Sequence, residues 1–464
     1  YDCRHSNGQA VGIYFYDGGD TMADNFVQNC DTGMYTNVDT AITHNEVTLC
    51  DIGLQDYSAS TIEDNYMHAN VGGMWIESPS TVQYNDVMAN TNYGIFVKHA
   101  GAVFHYNNIV GNTNFGIEAA HGLTGVDATN KWWGHISGPY HASANSAGQG
   151  DDVDDGISHN PWTQFAQAHA TVRVIDSTGA PISGVTIQYY TGSGSWQNMG
   201  DTDADGEVTA LLHAKNHLFK AIYFNKAQQQ GWIDLGTWSA RTITYQTVNA
   251  QVLFTNSQDV PYSGIGVQFY TGSGYWQNMG DTDDSGMVSK ELLPGTYQFK
   301  VVYLNKAQQT GWTDIDSQPL TTFKTVKHTV EFIDSTGTPI DEAPDEFYTG
   351  SGYWQTMGDT DACWGQVTKE LLPGTYQFKV VYYNKAQQTA WIDIGTETKT
   401  TFQTVLTTVA FIDSEGNPIT DIPVQFYTGS GYWQVYGDTG HCCGEVSREL
   451  LPGTYQFKVV YLNK

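Results

Sequence analysis

Glu291-Leu292-Leu293-Pro294-Gly295-Thr296-Tyr297-Gln298-Phe299-Lys300 is written twice more in the same chain, from Glu370 and from Glu449. A second motif, Gly-Ser-Gly-Ser/Tyr-Trp-Gln, precedes each copy, with tryptophans at Trp196, Trp276, Trp354 and Trp433, spaced 80, 78 and 79 residues apart. Gly-Asp-Thr follows each tryptophan, from Gly200, Gly280, Gly358 and Gly437. The first copy alters the decapeptide to Ala210-Leu211-Leu212-His213-Ala214-Lys215. A period of this length is one small domain rather than a strand or a hairpin. Inside a copy, short alternating stretches separated by Gly, Asp and Pro turns predict about seven strands. In the first copy they run over residues 171–175, 185–190, around Trp196, 207–212, 218–224, 232–235 and 242–248. That pattern is an antiparallel sandwich, with Tyr297, Phe299 and Val301 facing one core.

These units resemble the carboxypeptidase-regulatory and collagen-adhesin B-type immunoglobulin-like domains of bacterial surface proteins. The shared pattern is Asp-Ser-x-Gly-x-Pro-Ile after a strand, then a Thr-Asp-x-x-Gly-x-Val turn, then Leu-Pro-Gly-Thr-Tyr. Adhesin domains of that type often carry a Lys to Asn or Asp isopeptide bond assisted by a glutamate. It is not carried over, because the first strand at 171–175 has no lysine, nor has its counterpart at 330–333, although Lys327 stands just before the latter.

Upstream, the period falls to about twenty residues. Asn25, Asn45, Asn65, Asn85 and Asn107 form one column, and Cys30, Cys50, Asn70, Asn90 and Asn112 a second. Gly33, Gly53, Gly73, Gly94 and Gly116 form a third, and an imperfect earlier turn shows through Asn7, Gly12 and Ile13. Such a period with apolar alternation predicts a parallel β-solenoid whose equivalent residues stack, the asparagines forming ladders at bends where they tolerate left-handed backbone. Cys30 and Cys50 then lie one strand spacing apart, roughly 4.8 Å. They read as small buried residues, with a disulfide or metal role as the alternative.

This stretch resembles the right-handed parallel β-helix repeats of secreted bacterial proteins and carbohydrate-active enzymes (the pectate-lyase-like and NosD-like superfamily). The resemblance sharpens at Asn130-Lys131-Trp132-Trp133-Gly134, Gly138-Pro139-Tyr140-His141 and Asn160-Pro161-Trp162. These look like the segment that closes the solenoid, where Trp132, Trp133 and Trp162 would cover the open apolar end. The fold class is therefore all-β: a right-handed parallel β-helix with its cap over 1–167, then four tandem sandwich domains over 168–248, 249–326, 327–405 and 406–464, the last incomplete. Almost no residues separate the copies, which predicts a stiff spacer rather than beads on a string. The final copy stops at Asn463-Lys464. Either the natural chain continues, or another chain donates the missing strands.

The formal charge of −29 excludes a basic footprint for nucleic acid. No apolar run is long enough for a spanning helix, and no start resembling a leader precedes the first repeat. We expect a piece of a longer bacterial or archaeal protein, secreted or on the cell surface. Relatives that cleave acidic polysaccharides use a carboxylate groove with a basic residue, yet up to Trp162 the fixed positive charges are only Arg4, Lys98 and Lys131. Asp64 and Asp86, with Glu63 and His68 nearby, are a candidate acid pair, but read as solvated bend residues.

In the sandwiches, Asp201, Asp203 and Asp205 have the alternation of a weak calcium turn, competing with an ordinary Asx turn. Copies three and four place Cys363, Cys442 and Cys443 on this turn, which outside a cell predicts disulfides between copies or chains, or a metal site with His441. Tyr275, Tyr353 and Tyr432, with Trp354, are candidate glycan-binding or lateral-packing aromatics, although core or cross-strand packing is the simpler reading of the tryptophans. The function expected from all this is a non-enzymatic structural or adhesive repeat protein that self-associates into fibres or a surface layer. A multivalent glycan-binding protein is the first alternative and a β-helix hydrolase or lyase the second. No cofactor other than calcium is implied.

Overall fold

A computed structural model describes residues 10–16, 18–19, 21–238, 241–429, 431–441 and 443–461. Asn7, Arg4, Cys442 and the terminal Asn463-Lys464 lie outside the described residues. The chain forms two compact units, residues 1–223 with 227–247, and 224–226 with 248–464.

The first unit opens with three parallel sheets wound as a coil. One stacks Val11–Phe15, Thr32–Thr36, Ile52–Asp56, Gly72–Ile76, Tyr93–Val97 and Phe115–Ala119; a second runs from Thr21–Ala23 to Ile157–Ser158; a third stacks Phe26–Gln28, Glu46–Thr48, Tyr66–His68, Asp86–Met88 and Asn108–Val110. The register places Met34, Leu54, Met74, Ile95 and Ile117 in one interior row, and all are fully buried.

Both polar columns are ladders. The Asn65 side-chain amide donates to Asn85 Oδ1 at 2.9 Å and to Ile42 O at 2.8 Å, while its own Oδ1 accepts the Asn45 N–H at 3.0 Å. Cys50 occupies a rung of the second ladder, its Sγ accepting the Cys30 N–H at 3.4 Å. The left-handed backbone expected at the asparagines sits one residue earlier instead, at Asp24, His44, Asp64, Tyr84 and Tyr106. The ladder asparagine must point inward to reach its neighbours, so the preceding residue makes the turn and projects outward. In the glycine column, a Cβ on Gly53 would stand 2.5 Å from Gly73 O. Gly53→Ala is therefore expected to lower the stability of the first unit by about 2 kcal/mol, read by thermal unfolding of the chain.

The segment that follows the coils joins the solenoid core. Trp133 is fully buried in the solenoid core and Trp162 packs on it, whereas Trp132 contributes a parallel bridge to Asn108. Asp151 terminates the second ladder by accepting from the Asn112 N–H at 2.9 Å and side-chain amide at 2.7 Å.

Each complete sandwich pairs a three-stranded sheet with a larger one. In the second copy these are Met287–Leu292, Val248–Thr255 and Leu320–Lys324 against Gln277–Asp281, Gly266–Tyr270, Thr296–Tyr303, Lys306–Gln309 and Thr313–Asp314. All pairings are antiparallel except that of the first strand with the last, which is parallel. The strand Lys306–Gln309 escapes the sequence reading because Lys-Ala-Gln-Gln has no apolar alternation. It is formed by a two-residue turn in which Leu304 and Asn305 both have positive φ, the twist a tight hairpin requires.

Within the second unit, consecutive copies share their cores. The strands on either side of each junction are separated only by Thr325 or Thr404. Leu372 of the third copy belongs to the core of the second, and Leu451 of the fourth to that of the third. In return, Leu304 packs on the third core and Tyr383 on the fourth. Glu370 accepts the Ser257 N–H at 3.1 Å and the Thr325 hydroxyl at 2.5 Å; Glu449 does the same with Ser335 at 3.2 Å and Thr404 at 2.5 Å. Gln355 donates to Leu304 O at 3.0 Å, and Gln434 to Tyr383 O at 2.8 Å. The Glu-Leu-Leu of the repeated decapeptide is thus a docking element as well as a strand end. In the first copy the strand register puts Leu211 and His213 where the others have Glu and the second Leu. That copy follows the solenoid, and its His213 ring packs tilted against Phe165, 3.6 Å between centroids.

Candidate functional site

The corner residues that turn left-handed, Asp24, His44 and Asp64, stack on successive coils and project outward. The first sandwich brings His169, Thr171, Trp238, Arg241 and Thr242 against them, and together these eight residues line a pocket of about 190 Å³. His169 Nδ1 pairs with Asp64 at 2.9 Å, and its ring meets Tyr84 at 4.0 Å. Trp238 lies 5.8 Å from Tyr66, which stacks on His68, and His68 pairs with Glu46 at 3.0 Å.

Asp86 is the anchor below the pocket. It is not a solvated bend residue: it begins a strand and is 2% exposed. Arg241 Nη2 meets its Oδ2 at 2.5 Å, and the Asn108 amide donates to Oδ1 at 2.6 Å. Burial pushes the Asp86 carboxyl up, while the guanidinium and the amide pull against that rise. Asp64 does occupy a bend but is half-buried against His169. Both readings changed because partners 105 residues away in sequence, as for His169 and Asp64, cover this face.

Arg241 itself is 7% exposed. Its Nε donates to Leu235 O at 3.0 Å and its plane lies 5.0 Å over Trp238. Nη1 has no hydrogen-bond partner among the described residues. The guanidinium is thus fixed through two nitrogens, and the third is buried without a partner among the described residues. The positive charges counted from sequence behave differently: Lys98 pairs with Glu77 at 2.8 Å. Lys131 is fully buried and donates to Phe104 O, and burial pushes its ammonium well below the usual lysine range.

The remaining candidates are spread over the sandwiches. Asp201 Oδ1 accepts from Thr186 at 2.7 Å, and Asp203 Oδ1 caps the N–H groups of Asp205 and Glu207 at 2.9 and 3.0 Å. No three His, Cys, Asp or Glu side chains form a metal-sized cluster among the described residues. Cys363 and Cys443 are exposed and free, while His441 pairs with Asp421 at 2.9 Å.

The tryptophans of the repeats pack across strands rather than in the core. Trp276, Trp354 and Trp433 lie on the outer sheet face, each beside a tyrosine at 5.5–5.6 Å, with Lys300, Lys379 and Lys458 above them at 4.4–4.8 Å. Trp312 and Trp391 extend the cluster at 5.9 Å from Tyr270 and Tyr348. An inward orientation would displace the phenylalanines that fill each core, whereas an outward indole is covered by a lysine stem. Tyr275, Tyr353 and Tyr432 project furthest, each 71–72% exposed.

No curated protein sequence is matched by the chain. Among solved structures it is similar to the TIE protein of Bacillus anthracis, at 13% identity over 64% of this chain and 70% of that one, with a TM-score of 0.18. It is similar to a streptococcal ancillary pilin at 13% identity, 51% and 98% coverage and a TM-score of 0.17. The major pilin subunit of Bacillus cereus gives 10% identity, 52% and 99% coverage and a TM-score of 0.15. At these values none of them assigns this chain an activity or a partner. The family described as "Right handed beta helix region" matches residues 1–132, and with the repeats that follow, the chain is a right-handed parallel β-helix joined to immunoglobulin-like sandwich domains.

Proposed function

We propose that this is a non-enzymatic, extracellular structural or adhesive protein, secreted or displayed on a bacterial or archaeal surface, whose sandwich repeats act as a stiff spacer for the β-helix. The observation that carries the reading is the junction written twice in the second unit. A flexible tether needs free residues between domains, whereas here one threonine joins adjacent cores and its hydroxyl is taken by Glu370 or Glu449. Against catalysis, each member of the candidate acid pair is already engaged, Asp86 by Arg241 and Asp64 by His169.

The test is the distance distribution between spin labels on the second and fourth copies, with native cysteines replaced. It is expected to be narrow, and to broaden in the Glu370→Ala, Glu449→Ala double variant. A broad distribution in the parent chain would sink the spacer reading. Burial favours the protonated Glu370, but its hydrogen bonds to Ser257 and Thr325 outweigh that and hold its carboxyl below the usual range. The junction's contribution is therefore complete above the ordinary glutamate pKa and is lost as the pH falls through the depressed one.

Self-association into filaments belongs to the same proposal. Electron microscopy with and without reductant tests it, because Cys363 and Cys443 are available for crosslinks between chains.

A second reading, multivalent glycan binding, is favoured by the equal exposure of Tyr275, Tyr353 and Tyr432 in three copies. It requires polysaccharide retention that falls at least tenfold when all three become alanine.

A further inference from the structure

We propose that the first sandwich receives an acidic β-hairpin turn from another protein, in a socket that the later copies use to hold one another. The inference goes beyond the spacer reading and does not depend on it. Its first support is the socket itself. In the third copy Gln355 donates to Leu304 O at 3.0 Å, and Thr349 and Ser351 each donate to Asn305 O at 3.3 Å. Leu304 and Asn305 are the left-handed turn of the preceding copy. The fourth copy takes the turn at Tyr383 the same way, through Gln434 at 2.8 Å. In the first copy the solenoid precedes instead of a sandwich. There the corresponding Thr191 and Gln197 line a pocket of about 320 Å³ together with His213, Lys215 and His217.

The second support is charge. The seated turn carries Lys306, which crosses Gly374; a Cβ there would stand 3.2 Å from its Cε. Its ammonium donates to Thr375 O at 3.1 Å and lies 4.9 Å over the Tyr376 ring. Lys385 does the same over Gly453 and Tyr455. The first copy replaces this glycine by Lys215 and this tyrosine by His217. The ring that attracts a cation is gone, and an ammonium stands in the lysine's way. A turn with lysine is repelled, whereas a carboxylate at the same place pairs with Lys215. No carboxylate lines this pocket. Burial, and then the charges of Lys215 and His217, push the His213 ring below the usual histidine range.

The third support is the chain's own set of turns. All four carry lysine at this position, as Lys226, Lys306, Lys385 and Lys464. None of them suits Lys215, so the occupant comes from a different protein. It must show a left-handed turn whose carbonyls meet Gln197 and Thr191, with Asp or Glu in place of the lysine.

The test is calorimetry on the whole chain with cyclised copies of residues 300–309, a hairpin whose ends pair in register. The copy carrying Lys306→Glu is expected to bind saturably, and the copy that keeps Lys306 at least about tenfold more weakly. In the chain variant Lys215→Glu, an exposed substitution, the order should reverse. Glutamate blocked at both ends probes for capture of a bare carboxylate and should bind at least about tenfold more weakly than the acidic hairpin. Absence of saturable binding by the Lys306→Glu hairpin, equal affinity of the two hairpins, an order unchanged in Lys215→Glu, or blocked glutamate binding as tightly as the hairpin would each overturn the proposal.

Discussion

Asp345→Val is expected to stabilise the third sandwich, by about 3 kcal/mol or more at pH 8. Asp345 is 1% exposed and neither carboxylate oxygen has a hydrogen-bond partner among the described residues. The same register position holds Ile187, Val267 and Val424 in the other copies, all fully buried. Burial, reinforced by the charge of Asp359, pushes the Asp345 carboxyl up to about 8. An acid whose folded pKa is raised binds more protons folded than unfolded. Stability therefore falls as the pH rises from the unfolded value near 3.9 to the folded one.

His328 lies in the same core, against Phe378 at 4.4 Å, and burial lowers its pKa to about 4. Its contribution is complete above the unfolded histidine value of about 6.5 and is lost as the pH falls toward 4. The two groups oppose each other between pH 4 and 6.5, and from 6.5 to 8 Asp345 acts alone. Hydrogen exchange of peptides covering residues 326–382 should show protection falling over that last interval in the parent chain and holding steady in Asp345→Val. Equal profiles in the two proteins would contradict the assignment.

Arg241→Met should cost the first unit about 3–5 kcal/mol, because it strands Asp86 as a buried charge with only Asn108 beside it. The large effect measures the stranded carboxylate rather than the worth of the ion pair. Arg241→Met combined with Asp86→Asn should accordingly recover most of the loss, since an apolar or neutral replacement of both partners is far cheaper than removal of one. Thermal unfolding of the single and double variants reads this directly. If the double variant is as unstable as the single, the guanidinium acts through Trp238 and Leu235 packing instead.

The repeats made most of the architecture legible. The asparagine columns identified both ladders, because a side chain that must meet its copy one coil away leaves the same residue at a fixed interval. The Gly-Ser-Gly turns and the decapeptide marked each sandwich for the same reason. Lys306–Gln309 was hidden, since an exposed hairpin strand has no inward face to impose alternation. The tryptophans were open between core and cross-strand packing, because a large aromatic in a strand suits either until a lysine is seen to cover it. Asp345 and His328 were visible as departures among copies, but only their placement in a core turns those departures into an energetic cost.

The pocket was legible only in part. Asp64 and Asp86 were linked by their places beside the ladder asparagines, but nothing in the sequence ties them to His169 and Arg241, which look like ordinary polar residues of a solvent-facing strand or turn. Sequence alone therefore determined the elements, their repetition and the nearly residue-free junctions, because local periodicity and turn chemistry dictate those. Tertiary structure decided which charges are buried together and that Glu370 and Glu449 hold neighbouring domains, because burial and pairing depend on surfaces far apart in the chain meeting face to face.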